Sequence, residues 1–247
     1  MFSTKPTTKM ALSAGDLQNW MRAVTTQPRH HDGLMAWING PMRDFFPFTR
    51  VFLAHGEQVA GQIQITHWLA HGQDDSYLHQ LAATFDLGVR GSLKWWLTHR
   101  RPFCIDAKRP PPFTTSFELD EIQNFGLGRI AGHGILNATS SAGTYFSFAG
   151  IPAELADWHL DALTLIAPVL NDLFLGYVAA QQEDLSILLA TLTPRQNDIV
   201  RLIVNGLDDK AIARELDIAE KTVRNQLTAI YTQLGVCKRA QLMAMLR

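Results

Sequence analysis

The sequence predicts an α+β protein of two domains. Residues 1–180 are expected to form an antiparallel sheet with helices packed on it, and residues 192–247 an all-helical domain. A linker is expected at 181–191. Three observations lead to this prediction: strand-like runs are confined to the first part, a long apolar helix closes that part, and helix start and stop signals recur after residue 192.

Charge separates the two parts. The chain has 247 residues, of which 47% are hydrophobic, so it can form a sizeable core, and its formal net charge is −1. From residue 192 onward there are nine Lys and Arg against six Asp and Glu, whereas the rest holds 13 basic and 17 acidic residues. The basic excess near the end favours a segment that faces phosphates.

Composition also predicts a cytoplasmic location. No run approaches 18 consecutive apolar residues, which predicts no membrane span, and the first residues lack the apolar core of a secretory signal. Cys104 and Cys237 lie far apart and neither has a CxxC partner. A reducing compartment is therefore expected.

The first domain is expected to begin with helical segments, followed by two strands, two helices, three strands and a long helix. Glycine, proline and polar clusters separate these runs, as turns require. The predicted helices are 16–24, 31–46, 75–86, 91–100 and 153–182, and the predicted strands are 49–56, 61–72, 102–106, 128–136 and 143–150.

The long helix is apolar nearly all round, so it should be buried in the core or in a partner. It is also the expected place of dimerisation. Charges introduced at Leu163 and Leu170 would then give monomers.

The second domain carries its helix boundaries in its sequence. Thr193 and Gln196 can form a capping box around Pro194, which suits the first helical position. Asn205-Gly206 ends that helix, and Asp208 caps the next. The four predicted helices are 194–204, 209–216, 220–234 and 241–246.

The third of these helices has two faces. On a helical wheel its apolar residues Val223, Leu227, Ile230 and Leu234 fall on one side, and Lys221, Arg224, Asn225, Thr228 and Thr232 fall on the other. Arginine can bind guanine through O6 and N7, and asparagine can pair with adenine. A short helix joined to this one by a tight turn is typical of a helix-turn-helix, whose second helix enters the DNA major groove.

The segment LTPRQNDIVRLIVNGLDDKAIARELDIAEKTVRNQLTAIYTQLGVCKRAQ resembles the LuxR/GerE-type DNA-binding domain. LTPR, the NG-L turn, KTV and LGV–R carry the resemblance together. It implies a helix-turn-helix at about 209–228 that binds double-stranded DNA as a homodimer. Base contacts are implied for Arg224, Asn225 and Thr228, and backbone contacts for Lys221, Thr222 and Gln226.

The chain departs from that family pattern in three places. Ala219 stands where a capping Ser or Thr is usual, at a cost of about 1 kcal/mol. Gln226 stands where His is common, and Lys238 stands where a capping Ser or Asn is expected before the last helix. None of these changes removes the fold.

The first domain also carries resemblances. GHGILNATSSAGTYFSFAG (132–150) resembles the strand pair of LuxR-type autoinducer-binding domains, which implies a GAF-like α/β/α sandwich with an antiparallel sheet. The whole chain, with FDLGVRGSLKWWLTHRRPFCID, is similar to EpsA-type regulators associated with exopolysaccharide gene clusters. A small-molecule ligand would meet apolar walls, with candidates Phe52, Trp68, Trp95, Trp96, Phe103, Tyr145 and Phe148; each is also a candidate for plain core.

Other functions have weaker support in the sequence. His67 and His71 lack Cys or Glu companions, so no metal site is predicted, and no acid–base grouping indicates an enzyme. A basic run holds Arg90, Lys94, Arg100, Arg101, Lys108 and Arg109, as a solvated face or a second patch for DNA or polymerase. The alternative to a ligand-controlled regulator is a ligand-independent one, or an interaction module that acts on RNA polymerase or another regulator.

Overall fold

The computed structural model describes residues 11–28, 30–59, 62–83, 86–137 and 142–246. The chain divides into two compact units, Met1–Tyr177 and Val178–Arg247. They are called the N-terminal and the C-terminal unit below.

The N-terminal unit is built on a five-stranded antiparallel sheet of order β2-β1-β5-β4-β3. The five predicted strands are confirmed, with small shifts at their ends. They are β1 (Arg50–Val59), β2 (Gln62–His71), β3 (Phe103–Ile105), β4 (Ile130–Leu136) and β5 (Ala142–Ala149). The predicted turn between the last two falls mostly on 138–141, outside the described residues.

Helical segments cover the sheet. Two lie before β1: α1 (Ala14–Thr25), and a stretch made of a 3-10 turn (His31–Gly33), α2 (Leu34–Trp37), a π-helical turn (Ile38–Met42) and α3 (Arg43–Phe45). The others in this unit are α4 (Asp75–Ala83), α5 (Gly91–His99), α6 (Ser116–Asn124) and the greater part of α7 (Asp157–Ala190).

Helix α6 is absent from the predicted order. Thr115 and Glu118 form a capping box at its start: the Thr115 side chain accepts from the Glu118 N–H, and the Glu118 carboxylate accepts from the Thr115 N–H at 2.9 Å. The sequence TTSFE carries this signal, but it directly follows a proline-rich stretch that predicts an extended loop.

The two faces of the sheet have different cores. Phe148 contacts Phe46 and Phe48, with ring centroids 5.4 and 5.2 Å apart, on the face that α7 covers. Phe52 belongs to the opposite face, where it joins residues of α4, α5 and α6 in one cluster. Residues Val51 to Ala54 are consecutively buried, as the strand's apolar run predicts for a strand covered on both sides.

The second face encloses charged groups. Arg90 donates two hydrogen bonds to Glu121, at 2.8 and 2.9 Å, and both side chains are buried. Glu118 accepts from the Ser92 N–H at 3.0 Å. Burial, reinforced by the nearby Glu121 carboxylate, raises the pKa of Tyr77 to about 12. Arg90 is therefore buried, and the prediction that it belongs to an exposed basic run is wrong.

Helix α7 differs from its prediction at both ends. It begins at Asp157, where the Ala156 N–H donates to His159 Nδ1 at 3.1 Å, and it continues to Ala190. The predicted linker 181–191 is thus almost entirely helical, because Leu188 and Leu189 pack on the core of the C-terminal unit and extend the helix. The division into domains at 180 remains a prediction.

Helix α7 is a core helix of the N-terminal unit. It is long and apolar enough to cross a membrane by length and composition alone. Leu163, Leu170 and Phe174, however, are fully buried within the unit's own core. The expectation that charges at Leu163 and Leu170 would separate a dimer is therefore wrong, since they would disrupt the fold.

The C-terminal unit contains the four predicted helices. They are α8 (Pro194–Val204), α9 (Asp209–Glu215), α10 (Glu220–Gln233) and α11 (Arg239–Met245), the last starting two residues earlier than predicted. The Thr193–Gln196 capping box is present, and Asp208 accepts from the Ala211 N–H at 2.7 Å. The local capping signals thus set the helix starts that the sequence predicts.

Glu121→Gln should destabilise the N-terminal unit by about 3–5 kcal/mol, because it leaves the buried Arg90 charge unpaired. Urea unfolding followed by tryptophan fluorescence measures this, since all six tryptophans lie between residues 20 and 158. The exposed neighbour gives a control: Asp120→Asn should change stability by less than about 0.5 kcal/mol. Equal midpoints for the two variants would contradict the prediction.

Candidate nucleic-acid interface

Helix α10 buries one stripe and exposes the other side. Val223, Leu227, Ile230 and Leu234 are buried in a single core with residues of α8 and α9, as the helical wheel predicts. Because four residues at helical spacing are fixed inside the unit, the orientation of α10 about its own axis is determined. Its remaining side is open to another molecule.

The exposed side carries most of the residues that the sequence singles out. Lys221, Thr222, Arg224, Asn225 and Thr228 are all exposed. Gln226 is only half-buried and lies at the edge of this side. We name the exposed residues Lys221, Thr222, Arg224, Asn225 and Thr228 the polar face of α10.

Hydrogen bonds within α10 already engage part of the polar face. Arg224 Nη2 lies 2.6 Å from Glu220 Oε1, one helical turn earlier. The Thr228 hydroxyl donates to the Arg224 carbonyl at 3.1 Å. Arg224 still has unused donors among its five N–H groups, so the ion pair orients it without exhausting it. Sequence reasoning missed Glu220, although its spacing of four from Arg224 is the usual signal for such a pair.

The turn between α9 and α10 is held in one conformation. Asp217 has φ 50°, in the left-handed region that favours glycine but that aspartate tolerates. Arg195 Nη2 donates to the Leu216 carbonyl at 2.5 Å, and the Ile218 N–H donates to the Ala213 carbonyl at 3.0 Å. Ala213 is buried, so the two helices approach closely at this turn.

The two weak helix starts that the sequence shows are present in the structure. Neither Ala219, before α10, nor Lys238, before α11, makes a side-chain capping hydrogen bond. The first turn of α11 is instead held by Arg239, which pairs with Asp209 at 2.8 Å and also donates to the Leu207 carbonyl. At the start of α10 the backbone N–H groups lack a side-chain cap, an arrangement that suits a phosphate oxygen.

The candidate ligand residues of the N-terminal unit do not form one site. Phe52, Trp96, Phe103 and Tyr145 lie on the face of the sheet that α4, α5 and α6 cover. Trp95 packs against the same cluster and stacks on His99 and Phe113. Trp68 is 53% exposed at the edge of this face, where it stacks on Phe52, and Phe148 alone among the seven lies on the opposite face, against Phe46.

Two cavities lie on this face. The smaller, of about 50 Å³, adjoins the Arg90–Glu121 pair. The larger, of about 180 Å³, is lined by Trp96, Tyr145, Ile63, Ile65, Leu97, Arg100 and their neighbours. Trp96 is 3% exposed, and its Nε1 has no hydrogen-bond partner within the described part of the chain.

Glycines of β4 allow this arrangement. A Cβ at Gly134 would lie 2.6 Å from Trp96 Cζ2, and a Cβ at Gly132 would lie 2.5 Å from Phe103 Cζ. The closely spaced glycines of GLGRIAGHG therefore let two aromatic rings lie flat on the strand, in agreement with their placement around a strand rather than in a nucleotide loop.

The C-terminal unit, with its tight α9–α10 turn and polar face, is a helix-turn-helix domain. A model described as bacterial regulatory proteins, luxR family, matches residues 190–246. The spore germination protein GerE of Bacillus subtilis is 44% identical over 50 residues, which cover 20% of this chain and 68% of GerE. The chain belongs to the luxR family of bacterial regulatory proteins.

Another relative matches over a similarly short length. An HTH-type transcriptional regulator of Mycobacterium bovis is 44% identical over 52 residues, which cover 21% of this chain but 6% of that protein. Relatives named transcriptional regulators support a DNA-binding regulator. Along the whole chain, the structure of SdiA in complex with octanoyl-rac-glycerol has a TM-score of 0.51 at 13% identity and covers 96% of each chain. That likeness shows the fold.

Proposed function

We propose that this protein is a sequence-specific transcriptional regulator that places α10 in the DNA major groove. The polar face of α10, fixed by the buried stripe behind it, is the observation that carries the proposal. Arg224, Asn225 and Thr228 would contact bases, while Lys221, Thr222 and Gln226 would contact the backbone.

The Glu220–Arg224 pair limits how Arg224 can bind DNA. A carboxylate in the groove is repelled by phosphates, but it can remain beside an arginine that reads guanine. The 2.6 Å ion pair with Glu220 restricts the rotamers of Arg224 and keeps its guanidinium near the start of α10. We therefore assign Arg224 to a guanine rather than to a phosphate.

Arg224→Ala should weaken binding to the preferred site by about 1–3 kcal/mol, or roughly 5- to 150-fold, and relax the preference at one base pair. The preferred site is first selected from random duplexes, and affinities are then measured by fluorescence anisotropy at several salt concentrations. Arg201→Ala, an exposed arginine on α8, is the control and should keep the preference. Unchanged affinity of the Arg224 variant for the preferred site would contradict the base contact.

One helix-turn-helix makes few base contacts, so the proposal includes a homodimer on two half-sites. The side of α7 away from the core supports this. Leu165 is half-buried there, and Leu175 is 37% exposed. These two leucines could be covered by the same helix of a second copy.

Leu175→Glu should shift the protein toward monomers in sedimentation velocity, because it places a charge on the proposed contact. Leu17→Glu is the matched control, since Leu17 is 39% exposed and belongs to a different helix, α1. Tryptophan fluorescence verifies that both variants remain folded. A dimeric Leu175 variant, or a monomeric Leu17 variant, would place the interface elsewhere.

The N-terminal unit is proposed to control activity by binding a small apolar molecule with one hydrogen-bond acceptor. The support is the 180 Å³ cavity, whose walls are largely apolar and include Trp96. The Trp96 Nε1–H is buried and has no hydrogen-bond partner among the described residues, so a ligand acceptor that reached it would remove the cost of an unpaired donor. Among the candidate residues, Trp96 and Tyr145 line this cavity.

Trp96→Phe should reduce the amount of copurified small molecule by roughly 2- to 10-fold, because one neutral hydrogen bond contributes about 0.5–1.5 kcal/mol. Native mass spectrometry of freshly purified protein measures the fraction of chains that carry an adduct. Trp68→Phe is the control, because Trp68 lines neither cavity. If the unsubstituted protein carries no adduct, the ligand-independent alternative is supported instead.

The remaining parts of the proposal rest on the sequence. The similarity to EpsA-type regulators suggests genes of exopolysaccharide synthesis as targets, and the regulator would act in the cytoplasm. The alternative is an interaction module that binds RNA polymerase or another regulator through the polar face of α10. Salt dependence separates the two functions. A DNA-binding regulator should lose affinity for DNA steeply as the salt concentration rises, because DNA releases condensed counterions on binding.

A further inference from the structure

Five exposed cations surround the short edge strand β3. Lys94, Arg100 and Arg101 precede the strand, and Lys108 and Arg109 follow it. Within the described ranges none of the five forms an ion pair with a carboxylate. We name these five residues the β3 basic patch. Arg90, the sixth cation of the basic run, is buried and takes no part in it.

An aromatic stack holds the two halves of the patch together. The ring of Trp95 stacks on His99, with centroids 4.6 Å apart, and on Phe113, with centroids 4.9 Å apart. His99 is followed directly by Arg100 and Arg101, and Phe113 ends the loop that carries Lys108 and Arg109. The stack therefore joins the end of α5, which is followed by Arg100 and Arg101, to the end of the loop that carries Lys108 and Arg109.

The backbone beneath the patch is fixed. Arg100 has φ 53°, and its N–H donates to the Trp96 carbonyl at 2.7 Å, which turns the chain sharply at the end of α5. In the following loop the Lys108 N–H donates to Asp106 Oδ1 and the Arg109 N–H to the Asp106 carbonyl, both at 2.9 Å. Asp106 itself pairs with Arg129 at 2.9 Å. The carboxylate that directly follows β3 thus already has an arginine partner.

The β3 basic patch has more cations than are needed to protect the edge of the sheet. One or two lysines or arginines suffice to keep an edge strand from pairing with another chain. Residues 1–177 contain 13 basic and 15 acidic residues, so a local group of five unpaired cations is not a general property of this unit. A rigid surface of cations without sequence-reading residues suits the phosphate backbone of a nucleic acid.

We propose that the β3 basic patch binds DNA phosphates outside the sequence that α10 reads. The inference rests on the proposed function, since the C-terminal unit must first bring the chain to DNA. Once it is bound there, the patch meets phosphates of the same duplex at a high effective concentration, so weak contacts add to affinity. The partner class is therefore DNA and not an acidic protein.

The test compares the full chain with a patch variant on two duplexes. The variant changes four of the cations to glutamine and keeps Arg100, which lines the larger cavity: Lys94→Gln, Arg101→Gln, Lys108→Gln and Arg109→Gln. One duplex contains only the selected site, and the other adds 20 base pairs on each side. The slope of log Kd against log salt concentration is measured for each combination of protein and duplex. A second variant with the same net charge adds acids on exposed positions of the N-terminal unit: Gln18→Glu, Asn19→Asp, Gln27→Glu and Gln123→Glu.

On the long duplex the patch variant should have a slope smaller by roughly 2 to 3.5, because each lost phosphate contact removes about 0.9. On the short duplex it should match the unsubstituted chain, and the charge-matched variant should keep the larger slope on the long one.

Equal slopes for the patch variant and the unsubstituted chain on the long duplex would overturn the inference while leaving site binding intact, and would favour an acidic protein as the partner. An equal loss in the charge-matched variant would overturn it too, as an effect of bulk charge. Failure of the unsubstituted chain to bind any selected duplex would instead reject the proposed function, and the patch inference with it.

Discussion

Burial of Val223, Leu227 and Ile230 is the constraint on which the C-terminal unit depends. Each such aliphatic side chain contributes about 1.5–3 kcal/mol when it leaves water, so α10 cannot rotate about its axis without losing a large share of the unit's stability. The polar face is consequently held toward solvent before any partner arrives. The Asp217 turn and the Arg195 bond to Leu216 then fix the angle between α9 and α10. A reading surface that is already formed loses little entropy on binding.

The N-terminal unit separates its surfaces by the two faces of its sheet. Aromatic rings such as Phe46 and Phe148 pack on the face against α7. The other face accommodates the Arg90–Glu121 pair, which adjoins the smaller cavity, and the larger cavity, which Trp96 lines. The edge at β3 carries the cations. A cavity and a charged edge thus lie side by side on one small sheet, and Arg100 belongs to both.

Much of the fold could be predicted from local signals, whereas several site residues could not. Thr193, Asp208 and Gly206 mark helix boundaries within a few residues of themselves, and the strands of the sheet show as apolar runs. Helix α6 shows how a local signal can be missed, because its capping box follows three prolines. The end of α7 could not be read locally at all: the helix extends to Ala190 because Leu188 and Leu189 find a core in the C-terminal unit.

The sequence by itself determined which residues share a helix face, since a period of 3.6 places Val223 and Leu227 on one side of α10 and Arg224 on the other. The tertiary structure alone decided which faces and charges are buried. Arg90 and Arg100 belong to the same basic run, yet only Arg90 meets Glu121, 31 residues away. Leu163 and Leu175 belong to the same apolar helix, yet only Leu163 lies in the core. Periodicity is a property of neighbouring residues, whereas burial and pairing depend on residues that only folding brings together.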